Sequence, residues 1–116
     1  MPAKPLLTGA AAVLADIAAG HQAMSANAAR VPLGRDGRRL DIGTVHRLWT
    51  RGRIGPDGQR ILLESAKVAG GGRATTMPAI ARFHARLNGL DIGGPSPADL
   101  DRAHRGAERR LEAAGL

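Results

Sequence analysis

Hydrophobic positions along this chain recur mostly at helical spacing, in short runs closed by glycine or proline. Thr8 stands where an N-cap belongs, before a helix over 9–19 that Gly20 stops. Val13 and Ile17, with Leu14 and Ala18, give that helix a narrow apolar stripe. In MSANAARVP, Ser25 is a plausible N-cap and Pro32 ends the helical possibility, which leaves at most two turns. LGRDGRRL is glycine-rich and basic, and reads as a turn or loop. DIGTVHRLWTRG then predicts a helix over about 42–51. Asp41 is its N-cap, suited also to the positive end of the helix dipole, and Gly52 is the residue just past its end. Ile42, Val45, Leu48 and Trp49 would face the core. Gly43, Thr44, His46, Arg47, Thr50 and Arg51 are left for the other faces.

The period changes after that helix. RIGPDGQ is a turn, marked by Pro-Asp-Gly. ILLESAKVAGGGRATT alternates imperfectly, with Leu63, Ser65 and Lys67 against Leu62, Glu64, Ala66 and Val68. Its glycine run predicts a short β-hairpin over about 61–75. An isolated hairpin is marginal, so this one must lean on helices. Thr75 or Thr76 caps a helix over 77–88, with Pro78 in its first turn, Ile80, Phe83 and Leu87 on one face, and Gly89 at its end. LDIGGPSP is a linker. Ser96, Pro97 and Asp99 announce a last helix to about Ala114, striped by Leu100, Ala103, Ala107 and Leu111 and weakened at Gly106 by up to about 1 kcal/mol.

Length and composition narrow this picture. The 116 residues suffice for one small domain with arms, not for two full cores. Trp49 and Phe83 are the only aromatics, so the core is built from Ala, Leu, Ile and Val in closely packed small helices. The chain has no cysteine, which excludes disulfides and thiolate metal sites. The start, MPAKPLLTGAAAVLA, is too rich in Ala and Gly and too poor in basic residues for a secretory signal, and no segment approaches the roughly 18 apolar residues of a membrane span. The expected location is cytoplasmic and nucleoid-associated.

The formal charge is +7, and its placement matters more than its size. Residues 30–86 hold twelve basic and four acidic side chains, while residues 1–29 balance and residues 87–116 are slightly acidic. GC-rich coding accounts for arginine over lysine but not for this clustering. A localised basic surface attracts polyanions, DNA or RNA above all. An enzyme reading finds no footing. His21, His46, His84 and His104 lack metal-ligand spacing, Gly70–Gly72 lacks the ending of a phosphate loop, and Ser25 and Ser65 lie in no nucleophile motif. No cofactor, metal or small-molecule substrate is expected.

Short helix, basic loop, basic-faced helix, hairpin, helix is the order of a helix-turn-helix with a wing, in which the second helix lies in the major groove. Arg47 and Arg51 sit one turn apart and suit guanine or phosphate; the bland alternative is a solvated basic face. Thr44 lies in the first turn, within reach of base edges or phosphate, or is simply an exposed helix-start residue. His46 is a phosphate donor or a boundary residue, and Trp49 belongs to the core. Arg38 and Arg39 in the preceding loop, and Lys67 and Arg73 at the wing, fit contacts to the DNA backbone, against the alternative of exposed basic loops.

The run TVHRLWTRGRIG, followed by RILLESAKVAGGGRATT and a helix with Ile80 and Phe83, resembles excisionase-like winged-helix proteins. Within them it is most similar to a bacterial family labelled as a domain of unknown function. That family shows a T-V-Y-R-W-like recognition helix, an R-L-E-x-x-x-V-G-G wing and a T-S-x-E-A-L-x-x-F helix. SANAARVP resembles its first helix, and the resemblance covers about residues 24–88. His46 stands where the pattern has an aromatic, Trp49 falls one residue late, Asn27 and Ala28 replace the expected Glu region, and GPDGQ lengthens the connection to the wing.

The expected fold class is therefore mainly α: a winged helix-turn-helix with a two-stranded β-hairpin wing and flanking N- and C-terminal helices. The expected parts are an extension over 1–23, the DNA-binding domain over 24–89, a linker over 90–95 and a terminal helix over 96–116. The resemblance implies binding to double-stranded DNA, as an architectural factor or a transcriptional regulator, with a second copy of the chain, a recombinase or another protein as further partner. A protein-interaction adaptor working through the flanking helices and a sequence-neutral nucleic-acid binder are the rival readings.

Overall fold

The computed structural model describes residues 7–90; the expected linker beyond Leu90 and the terminal helix over 96–116 lie outside the described residues. Four helices and two small antiparallel hairpins follow one another: α1 (Gly9–Ala18), α2 (Ala26–Leu33), α3 (Ile42–Thr50), β1 (Arg53–Ile54), β2 (Arg60–Ile61), β3 (Ala66–Lys67), β4 (Arg73–Ala74) and α4 (Met77–Leu87). No helix among these residues is long and apolar enough to cross a membrane.

The main core lies between α2, α3 and α4. Ala26, Ala29 and Leu33 meet Val45, Leu48 and Trp49, and Leu63, Ile80 and Phe83 close the cluster. Three caps foreseen from the sequence hold these helices at their starts. Ser25 Oγ accepts from Ala28 N–H, Asp41 Oδ2 from Gly43 N–H, and Thr76 Oγ1 from Ala79 N–H. Each cap satisfies a backbone donor that the first helical turn leaves without a partner.

Helix α2 runs through Pro32 to Leu33, one residue beyond the expected stop. Proline lacks the N–H that would donate one turn back, and the helix ends one residue after it. The basic loop then reverses at Asp36 and Gly37, both at positive φ, with Arg35 and Arg38 exchanging backbone hydrogen bonds. That is the geometry of a type I′ turn, which Asp-Gly favours. Arg30 ties the end of the loop back to α2, since its Nε donates to the Leu40 carbonyl and its own carbonyl accepts from Leu40 N–H.

The hairpins depart from expectation. RIGPDGQ is not a bare turn but the tip of a first hairpin, with Arg53 opposite Ile61 and Ile54 opposite Arg60. Gly55 N–H donates to the Gln59 carbonyl, and Asp57 Oδ1 accepts from Gln59 N–H, so the tip satisfies itself. Gly52 makes the entry possible. Its φ is 69°, and a Cβ there would meet the Ile61 carbonyl oxygen at 2.0 Å. The expected hairpin over 61–75 shrinks to Ala66–Lys67 paired with Ala74–Arg73. Residues 62–65 instead cross the end of α3, where Leu63 N–H donates to the Leu48 carbonyl.

Helix α1 packs on β3 and α4 around Val13, Ala66 and Ala79, with Ile17 at the edge. Leu14, expected in its stripe, is half exposed, and Asp16 is buried in its place. The residue that makes this possible is Arg82 on α4. Its Nη2 donates to Asp16 Oδ2 at 2.8 Å and its Nε to Glu64 Oε1 at 2.6 Å. Thr76 Oγ1 also donates to Asp16 Oδ2, and Glu64 Oε2 accepts from Gly9 N–H at the start of α1. Thr8, the expected cap, makes no side-chain cap bond; Glu64 does that work from 55 residues away. Burial opposes the Arg82 charge, but the hydrogen bonds and attraction of Asp16 and Glu64 outweigh it, so its pKa lies above the usual arginine value.

Candidate nucleic-acid interface

The sequence places Thr44, Arg47 and Arg51 on one side of α3, and the structure brings these three together. Asp41 starts the helix, and Val45, Leu48 and Trp49 bury the opposite side. Ile42, expected in the core, is 44% exposed at the first helical position, because a nine-residue helix that begins at the rim leaves its first residue beyond the packed layer. Arg47 Nη2 donates to Thr44 Oγ1 at 3.0 Å, which holds the guanidinium along the helix.

Two further cations arrive from the hairpin that follows. Arg53 and Arg60 line the same cleft as Thr44, Arg47 and Arg51, with Gly52 and Leu48 beneath. Arg60 Nη1 donates to the Arg51 carbonyl at 2.7 Å, satisfying a backbone acceptor at the negative end of α3. Sequence reasoning missed both residues by treating RIGPDGQ as a turn. The signal was present: the dipeptide Arg-Ile occurs on each side of Gly-Pro-Asp-Gly, the symmetry of two paired strands around a tip.

The other expected site residues are distributed differently. His46 is exposed on α3 but stands edge-on to Trp49, with ring centroids 5.2 Å apart, and it does not line the arginine cleft. Arg38 and Arg39 border a separate cleft with Arg35, the acid Asp36 and Leu40, on the loop before α3. Lys67 and Arg73 face each other across the second hairpin. Like charges at directly opposed positions repel, a cost that an anion would relieve. Arg73 Nη1 is also held by Ser65 Oγ, and Arg73 lines the cleft between the two hairpins.

What the acids do decides the electrostatics. The basic segment has four, and each is engaged. Asp36 lies beside Arg35, Asp41 caps α3, Asp57 closes the hairpin tip, and Glu64 is shared by Gly9 N–H and Arg82. Among the described residues, no carboxylate lies within ion-pair distance of Arg38, Arg39, Arg47, Arg51, Arg53, Arg60, Lys67 or Arg73. Among the described residues, the buried Arg82 is neutralised by carboxylates and these eight cations are not. A surface of this kind concentrates counter-ions and attracts a polyanion at long range.

No family model matches the chain, and no curated protein or solved structure matches it either.

Proposed function

We propose that the chain binds double-stranded DNA as a winged helix-turn-helix. Helix α3 lies in the major groove, and the two hairpins and the loop before α3 hold the phosphate backbone. The observation that carries this reading is the cluster of Arg47, Arg51, Arg53 and Arg60 around one cleft, in a segment whose acids are all occupied elsewhere. A solvated basic face with internal pairing would place acids among these cations; among the described residues lining the cleft there is none, and Arg47 and Arg60 donate instead to the Thr44 hydroxyl and the Arg51 carbonyl.

Further support comes from the order of parts. Helices α2 and α3 form the most extensive helix pair, joined by the basic loop over residues 34–41, and α4 packs against them. Arg47 and Arg51 can each engage a guanine or a phosphate through two parallel hydrogen bonds. Arg38, Arg39, Lys67 and Arg73 fit phosphate positioning, which carries no sequence information by itself. In this reading the chain is an architectural or regulatory DNA-binding protein of the excisionase-like kind and performs no chemistry.

The test is fluorescence anisotropy of a labelled random-sequence duplex with the wild type and with the double variant Arg47→Ala, Arg51→Ala, both checked for folding by circular dichroism. Wild-type binding in the range of about 1–100 μM at moderate salt, weakened at least tenfold in the folded variant, is the expected result. Equal binding by the two proteins contradicts a role for α3.

A further inference from the structure

A second cleft lies between the two hairpins, and neither its position nor two of its cations were foreseen. Its lining includes Arg60 from β2, Arg73 from β4 and Arg86 from α4, with Trp49 and Leu63 among its apolar residues. Three separate elements thus deliver guanidinium groups to one recess. Among the described residues that line it Glu64 is the one acid, and both of its carboxylate oxygens are already taken, by Gly9 N–H and by Arg82. Among the described residues no carboxylate lies within ion-pair distance of Arg60, Arg73 or Arg86. Thr8 and Gly9, at the start of α1, also border the cleft.

We propose that this cleft seats backbone phosphates of the same bound duplex, as a contact separate from the one made by α3. The inference rests on the DNA-binding reading above. Arg60 lines both clefts, so the α3 track and the inter-hairpin track meet at one side chain. A continuous run of cations around the end of a helix matches the continuous charge of a phosphodiester chain better than the single charge of a small acid. Ser65 holds Arg73 at the rim, and Lys67 opposite it loses a like-charge repulsion when a phosphate sits between them. Arginine suits the task because its planar fork pairs with two phosphate oxygens at once.

Salt dependence counts the phosphates. The logarithm of the binding constant falls against the logarithm of salt with a slope of about 0.9 per phosphate neutralised on duplex DNA. Anisotropy titrations over a salt series compare the wild type, Arg73→Gln with Arg86→Gln, and Arg73→Lys with Arg86→Lys, each checked for folding by circular dichroism and thermal melting. The expected result is a slope smaller by about 2 in the glutamine variant and close to wild type in the lysine variant. A glutamine variant with the wild-type slope overturns this inference and leaves the α3 reading standing. So does a folded lysine variant that loses as much slope as the glutamine one, since charge would then not be what the cleft supplies. A wild type that fails to bind duplex at low salt overturns both.

Discussion

Arg82 is the residue on which the arrangement of the described elements depends. It is 5% exposed, as is Glu64, and Asp16 is 4% exposed, so three charged groups share one dry site with the Thr76 hydroxyl. Such a cluster adds little over a well-packed apolar one, but breaking it leaves charges buried without partners. Replacing Arg82 by Met is expected to destabilise the fold by about 3–5 kcal/mol in urea unfolding, a large share of the stability of a small domain. A loss below about 1 kcal/mol contradicts the pairing. None of this was legible beforehand. Asp16 and Arg82 are 66 residues apart and Gly9 and Glu64 are 55 apart, and no local pattern links them. Gly52, by contrast, was legible as a helix stop, though its second reason, the approach of the Ile61 carbonyl, was not. Gly52→Ala, strained at φ 69° and crowded by that carbonyl, is expected to cost at least about 1–3 kcal/mol in the same assay.

At the scale of elements, helices with a capping residue and a clear apolar period were readable to within a residue or two. Asp41, Ser25 and Thr76 cap as their side-chain chemistry suggests. Asp41→Ala is expected to lower stability by about 1 kcal/mol in thermal or urea melts, through loss of the bond to Gly43 N–H. The hairpins were less readable, because two-residue strands carry no period to detect. Their pairing is fixed by turn chemistry and by tertiary contacts: Gly52 against Ile61 for the first, and the antiparallel bridge of Met24 with Thr75 beside the second. Helix α1 behaves as part of this assembly. Removing residues 1–20 strips the Asp16 carboxylate and the Gly9 N–H from a buried site and uncovers Ala66 and Ala79. Such a chain is expected to show a lower, broader melting transition by circular dichroism; an unchanged midpoint contradicts the role given to α1.

The described residues carry much of their positive charge on loops, hairpins and the outer side of α3, while their acids serve in caps, a turn tip, one surface pair and one buried site. The charge excess of the middle segment was legible by counting, and so were Thr44, Arg47 and Arg51 as neighbours. The union of those residues with Arg53 and Arg60, and the gathering of Arg60, Arg73 and Arg86 between the hairpins, required the chain to fold back on itself. We propose that this outer surface, centred on α3, meets duplex DNA. The most direct measurement is a titration of the isotopically labelled protein with a short duplex at low salt, followed amide by amide by NMR. Perturbed amides are expected to cluster from Asp41 through Arg60 and along Lys67–Arg73, while the outer faces of α1 and α2, around Leu14 and Val31, stay unchanged. No perturbation at saturating duplex, or perturbation confined to those outer faces, would contradict it.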